Sequence, residues 1–288
     1  MFHRILVPLD GSPLAEAALA PALAVARHTQ AEVWLLRVPA AERIFVPLAG
    51  TEGVLWPDQS LGVSRKEAKQ YLDNLLKPGL HPELAGVPIH TAIVDGDVAS
   101  VIVDTAAAEG VDLIGMSTHG RSGLTRWMLG STAEKVLSAA PCPVLIRRGQ
   151  QPLRRFLITL DGSPLAERAL APGFALAAAL GEQVTLLRVL DDHGASDPAA
   201  RQAAEADLWR QAQAHAVAGL EVRTEVLVGP AAETIITRLG ALGADVAVMA
   251  THGRTGLRRW IYGSVTEKVL DSAHCSLLVV RPAAHDLK

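Results

Sequence analysis

The heptapeptide Asp10-Gly11-Ser12-Pro13-Leu14-Ala15-Glu16 returns unchanged as Asp161-Gly162-Ser163-Pro164-Leu165-Ala166-Glu167, 151 residues later. A second block, Thr118-His119-Gly120-Arg121, returns as Thr251-His252-Gly253-Arg254 after 133 residues. Arg126-Trp127, Gly130-Ser131 and Glu134-Lys135-Val136-Leu137 recur at that same spacing. Solenoid repeats run to about 20–50 residues, so a period this long is a duplicated domain. The 288 residues divide into expected domains 1–148 and 154–283, joined by a polar stretch with Gly149 and Pro152. The two offsets differ by 18 residues, which assigns the first copy a longer middle between Pro39 and about Ser64.

Each copy alternates strand-like and helix-like runs. In the first, Ile5-Leu6-Val7 reads as a strand. Ser12 is an N-cap with Pro13 at the first helical position, opening a helix to about His28. Strands follow at Val33–Val38, Ile89–Val94, Val111–Met116 and Val144–Ile146, with helices at Glu67–Leu76, Val98–Ala108 and Ser131–Ala139. The second copy repeats the pattern, with strands near Phe156, Val184, Val222, Val246 and Leu278. Alternation of this kind predicts βαβ crossovers, and near-continuous apolar strands predict a parallel sheet covered on both faces. The expected fold class is α/β: two tandem doubly wound domains, each a five-stranded parallel sheet with helices on both faces.

Composition narrows the function. A net charge of −3 and a pI of about 6.4 lack the basic surplus of a nucleic-acid binder, so none is expected as partner. Two cysteines, one per copy, give neither a disulfide scaffold nor a metal cluster. The longest apolar run, Ala169–Leu180, contains Pro172 and Gly173 and is too short to span a bilayer. No membrane partner and a cytoplasmic location are the expectation.

Parallel sheets of this type bind ligands at the carboxyl ends of their strands. Three segments of each copy fall there. The first is Pro8-Leu9-Asp10, matched by Thr159-Leu160-Asp161; the second is Val38, matched by Val189. The third is the long loop from Ser117 to Ser131, matched by Ala250 to Ser264, with Met116 and Thr132, and Met249, Val265 and Thr266, as further candidates directly beside it. Glycines let backbone N–H groups approach a ligand closely, and Gly130-Ser131 and Gly263-Ser264 each open a helix, a ready phosphate site. Arg121 and Arg254 add positive charge near the same anion. Plainer alternatives stand beside these readings. Ser131 and Glu134, like Ser264 and Glu267, have capping-box spacing, and Asp10 before Gly11 suits an ordinary turn. His119 and His252 lack the companions of a metal site, so no metal ligand is assigned. Cys142 and Cys275 read as small buried residues, Trp127 and Trp260 as packing residues. The arginines 147, 148, 154 and 155 read as a solvated linker, with a weak basic patch as the alternative.

Gly120, nine residues, then Gly130-Ser131 resembles the fingerprint of the universal stress protein family, Gly-x2-Gly-x9-Gly-Ser/Thr, and Gly253 to Gly263-Ser264 repeats it. Asp10, the Met-x-Thr-His-Gly-Arg-x-Gly-Leu run and the Glu-Lys-Val-Leu helix are similar to that family too. The likeness covers nearly the whole chain, once per half. Ser117 and Ala250 stand where the fingerprint has its first Gly. The resemblance implies a Rossmann-like, adenine nucleotide alpha hydrolase-like fold that binds ATP or AMP, with Mg2+ accompanying ATP. Asp10 and Val38, or Asp161 and Val189, would then hold base and ribose. Gly120, Arg121, Gly130 and Ser131, or Gly253, Arg254, Gly263 and Ser264, would hold phosphates. His119 and His252 lie in the same loops.

The expected function is therefore that of a nucleotide-binding regulatory protein of the stress response, with no assigned catalytic residue and at most slow hydrolysis. The alternatives are an interaction module that binds no nucleotide and a weak ATPase or adenylyl-transfer enzyme; the His-x-Gly-His and Ser-Gly-Gly-x-Asp-Ser signatures of the latter are absent from the sequence. Family domains pair through their fifth strands. Val144–Arg147 against Leu277–Val280 would thus make an intrachain pseudo-dimer, with a homodimer as a further assembly. The insertion with Phe45 and Trp56 is expected to form a flexible flap over the first site.

Overall fold

The computed structural model describes residues 2–39, 64–117, 129–191, 197–251 and 263–281, with the backbone alone of 44–48, 51–55 and 58–63. The first half runs β1 (Arg4–Leu9), α1 (Pro13–Glu16), α2 (Leu19–Thr29), β2 (Glu32–Arg37), β3 (Ile44–Leu48), β4 (Thr51–Leu55), α3 (Asp58–Leu75), a short 3-10 turn, β5 (Ile89–Ile93), α4 (Val98–Ala108), β6 (Leu113–Ser117), α5 (Ser131–Ala139) and β7 (Val144–Arg147). The second runs β8 (Arg155–Leu160), α6 (Pro164–Glu167), α7 (Leu170–Leu180), β9 (Gln183–Leu190), α8 (Pro198–Ala214), β10 (Glu221–Val228), α9 (Ala231–Leu242), β11 (Val246–Ala250), α10 (Ser264–Ser272) and β12 (Ser276–Val280).

The helix expected from Ser12 to His28 is two helices. Ser12 caps the first as its spacing predicts, its Oγ accepting from the Ala15 N–H at 3.1 Å. The break falls at Ala17–Ala18 because Pro21 has no N–H for the Ala17 carbonyl four residues back, and its ring crowds that carbonyl. Pro172 breaks the second half in the same place, between Glu167 and Leu170. Helix α3 begins at Asp58, well before the Glu67 that apolar spacing suggested, and the insertion contributes an antiparallel hairpin, β3–β4.

Ten strands form one sheet in the order β5-β2-β1-β6-β7-β12-β11-β8-β9-β10. In this sheet every pairing within a half is parallel. The order reverses between β1 and β6, and again between β8 and β11, which is where such sheets open a crevice. At the seam β7 runs antiparallel to β12, with Val144 opposite Val279, Leu145 opposite Leu278 and Ile146 opposite Leu277. That antiparallel step turns the two crevices toward opposite edges of the sheet.

Alternating residues feed two apolar layers, as strand geometry requires. Ile5, Val7, Leu113, Phe156 and Ile158 face one layer, Leu6, Ile114, Ile146, Leu157 and Ala247 the other. Both layers run through both halves without interruption, and α2 packs on α7 across the seam.

Candidate functional site

Asp10 directly follows β1 at the crevice. Its Oδ1 accepts the Ser12 N–H at 2.9 Å, and Asp161 repeats this with Ser163 at 2.8 Å. The turn between them needs Gly11 and Gly162, whose φ values are +82° and +83°. Aspartate is thus a turn residue, as the plainer alternative had it. That role occupies one carboxylate oxygen, and among the described residues nothing engages Oδ2 in either copy.

The helix that closes each crevice begins differently from the capping-box alternative. Gly130, not Ser131, is the N-cap of α5 (φ −69°, ψ 150°), and Gly263 is the N-cap of α10 (φ −64°, ψ 149°). Glu134 and Glu267 donate their N–H groups to the Gly130 and Gly263 carbonyls at 2.9 and 3.0 Å. A glycine has no side chain to satisfy the first N–H groups of its helix. Ser131 and Ser264 fall at the first helical position, exposed, with neither hydroxyl spent on a cap. Thr132 and Val265 follow, half-buried; Thr266 is buried, in the place that Ala133 fills in the first half.

Other expected site residues take less direct positions. The side chains of Leu9, Leu160, Val38, Met116 and Met249 are buried in the apolar layers. Pro8, Thr159, Val189, Ser117 and Ala250 are half-buried at the strand ends, and Thr159 Oγ1 donates to the Val248 carbonyl at 3.4 Å. His119, Gly120, Arg121, His252, Gly253 and Arg254 lie outside the described residues, as do Trp56, Trp127 and Trp260.

Two residues that the sequence reading passed over stand beside the aspartates. Arg37 ends β2 opposite Leu9, and its Nη1 donates to the Leu9 and Val38 carbonyls at 3.3 and 3.2 Å. Its guanidinium carbon lies 5.9 Å from the centre of the Tyr71 ring, and the Tyr71 hydroxyl donates to Glu16 Oε1 at 2.7 Å. Burial first, then that carboxylate, push the Tyr71 phenol well above its ordinary pKa. Arg188 takes the equivalent place in the second half, close over Gly162, but pairs with Asp207 at 3.5 Å. The signal was present: in both copies an arginine follows two leucines near the carboxyl end of the second strand, Leu35-Leu36-Arg37 and Leu186-Leu187-Arg188.

The linker reading of four arginines is half corrected. Arg154 and Arg155 are exposed and pair with Glu182 and Asp245. Arg147 and Arg148 are only 5% and 4% exposed, because the second half lies over them. Arg147 Nη1 reaches Ser276 Oγ at 3.2 Å, and Arg148 donates to the Ala273 and Leu270 carbonyls at the end of α10. Cys142 and Cys275 are free thiols, and burial pushes their pKa values up to about 12 and about 11. Among the described residues no group of three His, Cys, Asp or Glu is placed to hold a metal, and no helix is long and apolar enough to cross a membrane.

A duplicated doubly wound domain with an aspartate and a glycine-capped helix at each crevice defines a class of tandem α/β proteins built around paired strand-end sites. The chain belongs to the universal stress protein family, whose sequence profile matches residues 1–148 and again 152–281. It is 26% identical over 293 residues to a universal stress protein of Mycolicibacterium smegmatis, covering 97% of each chain. A universal stress protein of Methanocaldococcus jannaschii is 33% identical over 147 residues, 51% of this chain and 82% of that protein. The crystal structure of a universal stress protein from Archaeoglobus fulgidus shares the fold, with a TM-score of 0.72 at 21% identity, over 96% of this chain and 98% of that one.

Proposed function

We propose that the protein binds an adenine nucleotide, ATP or AMP, at each crevice and acts as a regulatory protein of the stress response, with at most slow hydrolysis. The observation that carries this reading is the start of α5 and α10. Each helix is capped by a glycine, which brings no side-chain cap to the first N–H groups, and among the described residues the Ser131 and Ser264 hydroxyls cap neither helix. Unsatisfied amides and the positive end of the helix dipole favour a phosphate. Asp10 and Asp161 each keep a carboxylate oxygen for a ribose hydroxyl, at the strand end where a nucleoside would lie. Mg2+ would accompany ATP. The two halves would act as an intrachain pseudo-dimer through β7 and β12, within the cytoplasm, where free thiols persist.

Isothermal titration of the full chain with ATP and with AMP tests the reading. Saturable binding at two sites is the expected result. No heat with either nucleotide would overturn it in favour of an interaction module, in keeping with Ser117 and Ala250 in place of glycine. Turnover above about 1 s⁻¹ would make the protein an enzyme instead.

A further inference from the structure

The helices that open onto the two crevices end at the seam, and each is held there by the other half. Ala140, the C-cap of α5, accepts from Arg281 Nη1 at 3.1 Å. Ala273, the C-cap of α10, accepts from Arg148 Nη1, while Leu270 accepts from Arg148 Nη2 at 2.5 Å. Arg148 and Arg281 are the same residue of the repeat, 133 positions apart, as are Ala140 and Ala273. The clamp is therefore reciprocal, and the antiparallel seam makes it so. The carboxyl edge of one half lies beside the amino edge of the other, where α5 and α10 finish.

Each arginine is also tied to its own half's phosphate loop. Arg148 follows Arg147, which lies opposite Ser117, the last residue of β6. Arg281 follows Val280, whose carbonyl accepts the Thr251 N–H at 2.8 Å where the second loop departs. A continuous route then runs from the loop of one crevice, through one arginine, into the carboxyl end of a nine-residue helix whose amino end is the other crevice. A helix this short moves as a rod, so a displacement at one end reaches the other.

We infer that Arg281 is a positioning residue for the first half's nucleotide site and Arg148 for the second's, and that the two sites are coupled through this crossed pair. The inference rests on the nucleotide reading above. It differs from a plain structural staple in one respect: the loss on substitution falls on the site in the opposite half.

The test is a titration of 15N-labelled full-length protein with MgATP, followed at the Gly130 and Gly263 amide signals, one for each site. In the wild type both signals move. In Arg281→Gln, the more accessible of the two, Gly130 should need about tenfold more nucleotide while Gly263 titrates as before, and Arg281→Lys should recover part of the loss. Arg148→Lys should weaken the Gly263 response and spare Gly130. The free Gly130 signal should also shift in Arg281→Gln before nucleotide is added. Equal weakening at both glycines, in step with a lower Tm, would reduce the pair to a staple and overturn the inference. Unchanged titrations at both would overturn it as well. If neither signal moves in the wild type, the nucleotide reading itself falls and takes the coupling with it.

Discussion

The Tyr71 hydroxyl donates to Glu16 at 2.7 Å, joining the helix that leaves the insertion to the short helix that follows Asp10. This bond exists in one half only. The second half fills the space with Arg188 paired to Asp207, and its helix α8 carries no tyrosine. Tyr71→Phe removes one half-buried hydrogen bond while keeping the ring under Arg37. We expect a loss of about 1 kcal/mol in urea denaturation. A variant as stable as the wild type would mean that water replaces the bond without cost.

Asp10 and Asp161 carry two assignments at once, a turn and a ligand contact, and asparagine separates them. An Asn side-chain oxygen can still accept the Ser12 or Ser163 N–H, so Asp10→Asn and Asp161→Asn should unfold within about 0.5 kcal/mol of the wild type. Nucleotide affinity should fall by about tenfold per altered site, the order expected when a hydrogen bond to a charged acceptor becomes one to a neutral acceptor. Calorimetric titration of each variant reads this directly. Unchanged affinity in both would leave the aspartates as turn residues alone.

Much of the fold was legible because local rules and the repeat agree. Val98–Ala108 and Ser131–Ala139 are helices with the bounds their patterns gave, and the strand runs sit within a residue or two of their places. Misreadings came where a distant element decides the outcome or where a local rule competes with a stronger one. Ser131 has capping-box spacing, yet Gly130 takes the extended cap conformation and Ser131 joins the helix. Arg147 and Arg148 sit beside glycine and proline in a polar stretch, so nothing local marks them as buried; their burial comes from β12 and α10, more than 120 residues away. Pro21 and Pro172 did carry a readable signal for the helix breaks at the carbonyl four residues back. Arg37 and Arg188 carried another, as charges that follow a Leu-Leu pair near the carboxyl end of a strand.

The two thiols, Cys142 buried and Cys275 half-buried, set a limit to alkaline stability. Both Cys142 and Cys275 have folded pKa values raised above the ordinary 9.0, to about 12 and about 11. Desolvation of the thiolate is the main cause. A raised folded value means that the unfolded chain releases its proton first. The stabilisation is complete below pH 9 and is lost as pH climbs toward the folded values. Between about pH 9 and 11 each thiol should cost about 1.4 kcal/mol per pH unit. The double variant Cys142→Ala/Cys275→Ala should therefore show a shallower fall in unfolding free energy over that range. Parallel curves for variant and wild type would contradict the assignment.

The N-caps allow a comparison between the halves. Ser12 and Ser163 each accept an N–H three residues on at 3.1 Å, in helices of identical sequence. Ser12→Ala and Ser163→Ala should each cost about 1 kcal/mol, and nearly the same amount as each other. A large inequality would show that the halves unfold as separate units, with the measured transition reporting only the weaker one.

The seam makes the last prediction. Val144, Leu145 and Ile146 in β7 are each 1% exposed or less, with β6 on one side and β12 on the other. Ending the chain after Gly149 removes β12 and leaves an apolar strand with unpaired N–H and C=O groups at the edge of a five-stranded sheet. Such an edge recruits another strand, and the nearest substitute for β12 is β7 of a second copy, since the two strands occupy equivalent places in the repeat. Sedimentation velocity of the truncated half should show a dimer or larger species at micromolar concentration. Charge placed in the strand, as in Leu145→Lys, should return it to a monomer. A soluble monomer without that substitution would mean that β7 tolerates exposure, and that helix contacts across the seam rather than strand pairing hold the two halves together.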